Sequence, residues 1–124
     1  MLEHDCLTER IIGAAIQVHR TLGPGFVESI YEAALATELG HRGIAFERQV
    51  EVQILYRDKR VGLHRLDFVV SGEIVVELKA VKSLDPVHFI VVRSYLRALR
   101  RKHGLLLNFA SAPLEVRRVL ASSD

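Results

Sequence analysis

The chain has 124 residues, 49% of them hydrophobic and 6% aromatic, with no Trp. That is enough for one aliphatic domain with a real core, and too little for a separate recognition domain or a disordered arm. Its formal charge of +2 permits nucleic-acid binding without demanding it. The single cysteine, Cys6, excludes an internal disulfide and a cysteine-based zinc cluster.

The first ten residues are polar and charged, with no secretory h-region, and no apolar run is long enough to span a bilayer. The expectation is a cytoplasmic protein with no membrane partner. A first helix is predicted from Thr8 as N-cap, with Ile11, Ala15, Val18 and Leu22 on one face, stopped by Gly23-Pro24-Gly25. A second runs from about Phe26 to His41, with Gly43 as a left-handed terminator. Residues 46–56 alternate as a strand, turned by Arg57-Asp58-Lys59-Arg60 into a second run at 61–70. A third strand-like run follows at 73–80, then a helix from Asp85-Pro86 to about Lys102, then a strand at 104–109. Residues 113–120 fit a strand or a helical turn equally. The pattern describes one mixed α/β domain over residues 1–124.

Charge interrupts two of these apolar runs. Asp67 lies in the second strand and Glu77 and Lys79 in the third, where a charged group must be paired, hydrogen-bonded or bound to a cation. If Ser71, Gly72 and Glu73 form a three-residue loop, Val70 pairs with Ile74 and Asp67 falls opposite Glu77. Lys79, two residues on, then joins them on the same face. A two-residue turn would put the carboxylates on opposite faces. Two converging carboxylates without His or Cys suit a hard cation, Mg²⁺ or Mn²⁺, better than zinc. The alternative is a Glu77/Lys79 ion pair at a strand end with Asp67 capping the hairpin, and spacing alone leaves both readings open.

The order Asp67, then Glu77-Leu78-Lys79, resembles the PD-(D/E)XK nuclease superfamily. Gly25-Phe26-Val27-Glu28-Ser29-Ile30-Tyr31 matches the signature of the small bacterial GxxExxY proteins within it. Gly104 to Phe109 (GLLLNF) is similar to that group's GLLINF strand, so the resemblance covers nearly the whole chain. It implies a restriction-endonuclease-like mixed sheet flanked by helices. Asp67, Glu77 and Lys79 would take the catalytic positions, and Asp67 and Glu77, with Glu28 added from the preceding helix, would hold the metal. Relatives usually carry H-x-x-Q-x-x-x-Y-L on a helix. Here His88, Tyr95 and Leu96 match, while the Gln position is Val91, which has no side-chain hydrogen bond to offer.

Tyr31, His88 and Tyr95 are expected in supporting roles, Tyr31 by packing with its hydroxyl bonded and His88 as a cap or core residue. Arg93, Arg97, Arg100 and Arg101 follow helical spacing as one basic stripe, extended by Lys102, that could track a phosphate backbone. The same stripe is also what a solvated helix face looks like. Arg65 and Lys82 are further candidate phosphate contacts. Two classes follow: a Mg²⁺-dependent nuclease acting on DNA or RNA, or a non-catalytic nucleic-acid-binding or assembly module that keeps the fold. A homodimer is compatible with either.

Overall fold

The computed structural model describes residues 5–121; the first four residues of the polar start lie outside them. Helix α1 (Asp5–Leu22) and helix α2 (Glu28–His41) precede strands β1 (Phe46–Tyr56), β2 (Lys59–Val70) and β3 (Ile74–Lys79). Helix α3 (Pro86–Leu99) then crosses over to β4 (His103–Asn108), and β5 (Glu115–Leu120) closes the chain. The sheet order is β1-β2-β3-β4-β5, antiparallel throughout except that β3 and β4 run parallel. A parallel pair needs a crossover, and α3 is that crossover.

The helices lie on opposite faces. Ile11, Ala15 and Val18 of α1 and Tyr31, Leu35 and Leu39 of α2 bury against Phe68, Val70, Val76, Leu78, Leu105 and Leu107. Val92, Tyr95 and Leu96 of α3 bury against Val52, Leu66, Val69, Val75, Leu106 and Val119. Strands β3 and β4, covered on both faces, carry buried apolar residues on both sides, as parallel strands do, with Glu77 and Asn108 as the buried exceptions. Gly104 lets α3 pack close: a Cβ there would meet Val92 Cγ1 at 3.2 Å, tight enough that the valine would have to shift.

Several boundaries differ from the sequence expectation. Helix α1 begins at Asp5, so Thr8 is a buried residue of its first turns and not the N-cap. Helix α2 starts at Glu28, two residues after Phe26. Helix α3 stops at Leu99 because Arg100 takes a left-handed conformation, φ 55°, ψ 45°, without a glycine. The open choice at 113–120 resolves to strand β5, which pairs along the length of β4.

Strands β1 and β2 form a long hairpin whose two-residue turn, Arg57-Asp58, has both φ angles positive. Strand β2 pairs with β3 only from Phe68 to Val70. Among the described residues no strand pairs with the rest of β2 on that side. At its root, Val52 and Leu66 are buried beneath α3 and His64 stacks on Tyr95 at 4.4 Å. From Gln53 to Arg65 every residue is exposed apart from half-buried Gly62, so the outer hairpin is a two-stranded ribbon leaving the body of the domain.

Candidate functional site

The loop between β2 and β3 has the length that the site requires. Val70 pairs with Ile74, and Ser71 and Gly72 take positive φ of 52° and 68° between them. The Glu73 amide donates to the Val70 carbonyl at 3.0 Å. Three residues in the loop place Asp67 in line with Glu77, one step beyond the last regular pair.

At that step the backbone ladder stops and side chains replace it. The Asp67 amide donates to Glu77 Oε1 at 2.9 Å, and the Leu78 amide donates to Asp67 Oδ2 at 2.8 Å. Each carboxylate thus caps an amide of the opposite strand where β2 and β3 separate. One oxygen of each, Oδ1 of Asp67 and Oε2 of Glu77, is left outside this exchange.

The electrostatics follow from crowding. Burial, with the Asp67 charge beside it, pushes Glu77 up to about 8. Asp67 rises to about 6, again chiefly through burial, opposed by the Leu78 amide and reinforced by the charges of Glu32 and Glu28. Lys79, half-buried at the end of β3, offsets part of both shifts. Tyr95 overlooks the pair from α3: burial and the charges of Glu77 and Asp67 push its phenol up to about 12, so it stays a donor.

Glu28 is exposed at the first turn of α2, and its charge reaches both carboxylates. Tyr31, one turn on, packs as expected. It is fully buried, stacks on Phe109 at 4.7 Å, donates its hydroxyl to the Gly23 carbonyl at 2.6 Å and accepts from the Phe26 amide at 3.2 Å. It fastens the 23–26 turn that delivers Glu28. Tyr31→Phe is expected to cost about 1 to 2 kcal/mol in urea unfolding, because the carbonyl loses its donor.

His88 sits in the first turn of α3. Its Nδ1 accepts the Asp85 amide at 3.0 Å in a capping box that starts α3. The basic stripe on α3 is broken. Arg93 and Arg97 are exposed on the helix, but Arg100 is its left-handed cap, and Arg101 turns back to donate to the Gly72 carbonyl at 2.7 Å. Arg65 pairs with Glu51 at 3.5 Å, and Lys82 is exposed. Val91 is 38% exposed, not packed in the core, so a polar side chain fits there without burial cost.

Sequence reasoning passed over Glu32, one turn after Glu28, which holds Arg48 at 2.9 Å and Gln49 at 2.7 Å. Gln49 itself has φ 52° where β1 passes Asp67, a kink that no glycine announces. Asn108, fully buried, was also missed. Its amide donates to the Val81 carbonyl and its oxygen accepts the Val81 amide, tying down the chain just past Lys79.

Among the described residues no group of three or more His, Cys, Asp or Glu side chains converges as a ready metal cage. The donor chemistry nevertheless suits a hard divalent cation: two crowded carboxylates, each with an oxygen uncommitted, and further acids on α2. Among the described residues no helix is long and apolar enough to cross a membrane.

Comparison with known proteins agrees with this architecture. The family model for the PD-(D/E)XK nuclease superfamily matches residues 5–119. Among solved structures, the crystal structure of SSO0001 superposes with a TM-score of 0.57 at 18% identity. That match covers 98% of this chain and 61% of the other, so the chain spans about three fifths of that protein. The likeness shows a shared fold. Among curated proteins none matches.

Proposed function

The chain belongs to the PD-(D/E)XK nuclease superfamily, and from that premise we propose that it is a Mg²⁺- or Mn²⁺-dependent nuclease of the small GxxExxY group, hydrolysing phosphodiester bonds in DNA or RNA. The observation that carries the reading is the exchange of carboxylate-to-amide bonds between Asp67 and Glu77, beside Lys79, where β2 and β3 part. Reciprocal capping holds the two acids in fixed orientation, which a chance strand-end ion pair would not require. Asp67 and Glu77 would hold the cation through their uncommitted oxygens, with Glu28 reaching it from α2. Bound there, the ion would neutralise the scissile phosphate and supply an acidified water.

The chain's own groups do the rest. The Asp67 and Leu78 amides keep the acids aimed, so little reorganisation is needed when charge develops. Lys79 presents an ammonium to the phosphate or the attacking water. Tyr95, kept protonated, offers a hydrogen bond to an oxygen on the same side. A cytoplasmic setting fits the free Cys6.

A second reading, a nucleic-acid-binding or assembly module without efficient turnover, is favoured by Val91 at the position where relatives place Gln. A divalent-metal-dependent cleavage assay on single- and double-stranded DNA and RNA decides between them. Val91→Gln, at an exposed position, is expected to keep the fold and to raise cleavage about tenfold. Metal binding by folded wild type and Val91→Gln proteins, with no cleavage of any nucleic acid, would establish the module.

A further inference from the structure

We propose that the outer β1–β2 hairpin is a duplex-DNA grip, its turn seizing the phosphate backbone about one helical turn from the carboxylate pair. The inference rests on the nuclease reading for its substrate class, and on the hairpin for its geometry.

Strand β2 leaves β3 at Asp67 and continues outward to Lys59, so the candidate site sits at the root of the ribbon and Arg57-Asp58 at its tip. At about 3.3 Å per residue, nine residues separate Asp67 from the turn by roughly 30 Å. One turn of B-form DNA advances about 34 Å. A duplex with its scissile phosphate at the root therefore presents its next backbone crossing near the tip.

The tip has the chemistry for that contact. Arg57, Lys59 and Arg60 stand against the single acid Asp58, an excess equal to the +2 of the whole chain. All three are exposed, and none makes a salt bridge among the described residues. Tyr56, 66% exposed, carries the Arg57 guanidinium 5.9 Å from its ring centroid, pairing a stacking surface with a cation. Elsewhere several basic residues are committed, Arg48 to Glu32, Arg42 to Glu38, Arg118 to Asp5 and Arg101 to the Gly72 carbonyl, and another exposed basic pair, Arg100 and Lys102, lies just past the end of α3, not on the ribbon. A two-stranded ribbon fits the major groove of B-DNA, whereas the deep, narrow major groove of A-form RNA excludes it.

The test measures binding without divalent metal, so that cutting does not intervene. Labelled DNA duplexes of about 8 and 20 base pairs and an RNA duplex of the longer length are titrated over a salt series. Wild type should bind the long DNA at least tenfold tighter than the short one and than the RNA. The triple variant Arg57→Ala/Lys59→Ala/Arg60→Ala should erase that length preference. It should also reduce the salt slope by nearly three, since each lost phosphate contact removes about 0.9 from it. Circular dichroism confirms that the variant folds, and the single variant Lys59→Glu supplies a second reading with less perturbation.

An unchanged slope in the triple variant overturns the proposal and leaves the nuclease reading standing. Equal binding of DNA and RNA duplexes overturns the groove assignment. If sedimentation shows a dimer that Leu63→Lys dissociates while DNA affinity is untouched, the exposed Leu63 and its apolar neighbours serve a second copy of the chain, and the grip is overturned. No binding of any duplex by wild type overturns the grip, and the metal-dependent cleavage assay on single- and double-stranded substrates then judges the nuclease reading by itself.

Discussion

Without metal, the protein is expected to lose stability as pH rises from about 4 to 8, and Glu77→Gln is expected to abolish most of that loss. Asp67 rises to about 6 and Glu77 to about 8 in the folded state, above their ordinary values near 4. A group whose folded pKa is raised binds its proton more tightly when folded. Its stabilising contribution is whole below the unfolded value and drains away as pH climbs through the folded one. The window is therefore about pH 4 to 8. Gln at position 77 keeps an oxygen for the Asp67 amide and removes the buried charge. Urea unfolding at pH 5 should show little difference between the two proteins, and at pH 9 the variant should be more stable by on the order of 3 kcal/mol. Excess Mn²⁺ should restore wild-type stability at pH 8 and do nothing for Asp67→Ala. Equal stabilities at both pH values would mean that the pair is not crowded in solution.

Lys79→Ala is expected to separate metal binding from cleavage. Lys79 ends β3, half-buried, with its charge directed at both acids, yet nothing in the proposed role makes it a metal ligand. Removing one positioned donor to a developing phosphate charge costs about 10² to 10³ in rate. The variant should keep its Mn²⁺-induced thermal shift and lose cleavage by that factor, whereas Asp67→Ala should lose both. Cleavage that survives Lys79→Ala intact would assign the chemistry to other residues or to a contaminant.

Much of this arrangement was legible because it depends on parity and punctuation. Charge inside apolar strands marked the place, and parity made the alternatives explicit: a three-residue loop at Ser71-Gly72-Glu73 puts Asp67 in line with Glu77, a two-residue turn does not, and the structure has the three-residue loop. Strand β1 was readable over its whole length for the same reason of alternation. What escaped reading depends on non-local partners or on backbone states that composition does not announce. Arg100 takes a left-handed cap without being Gly, so the basic stripe ended early. Strand β5 exists because β4 is there to pair with it, and its six residues carry too little periodicity to say so. Glu32 and Gln49 meet across 17 positions of sequence, and only the fold introduces them. Val91 stands where the resemblance implies Gln, and only the fold shows that it is 38% exposed.

That separation also sets where the chain can change its length over evolutionary time. The ribbon beyond Val52 and His64 contributes little to the two cores, so a cross-strand pair could be added to or removed from it with little effect on the rest of the domain. The three-residue loop between β2 and β3 has no such freedom. One residue gained or lost there would turn Glu77 and Lys79 to the other face and dissolve the pairing with Asp67. An insertion at Arg57-Asp58, in even steps along the strands, should therefore leave the fold intact while moving the tip away from the carboxylate pair, whereas one at Ser71-Gly72-Glu73 should destroy the pair itself.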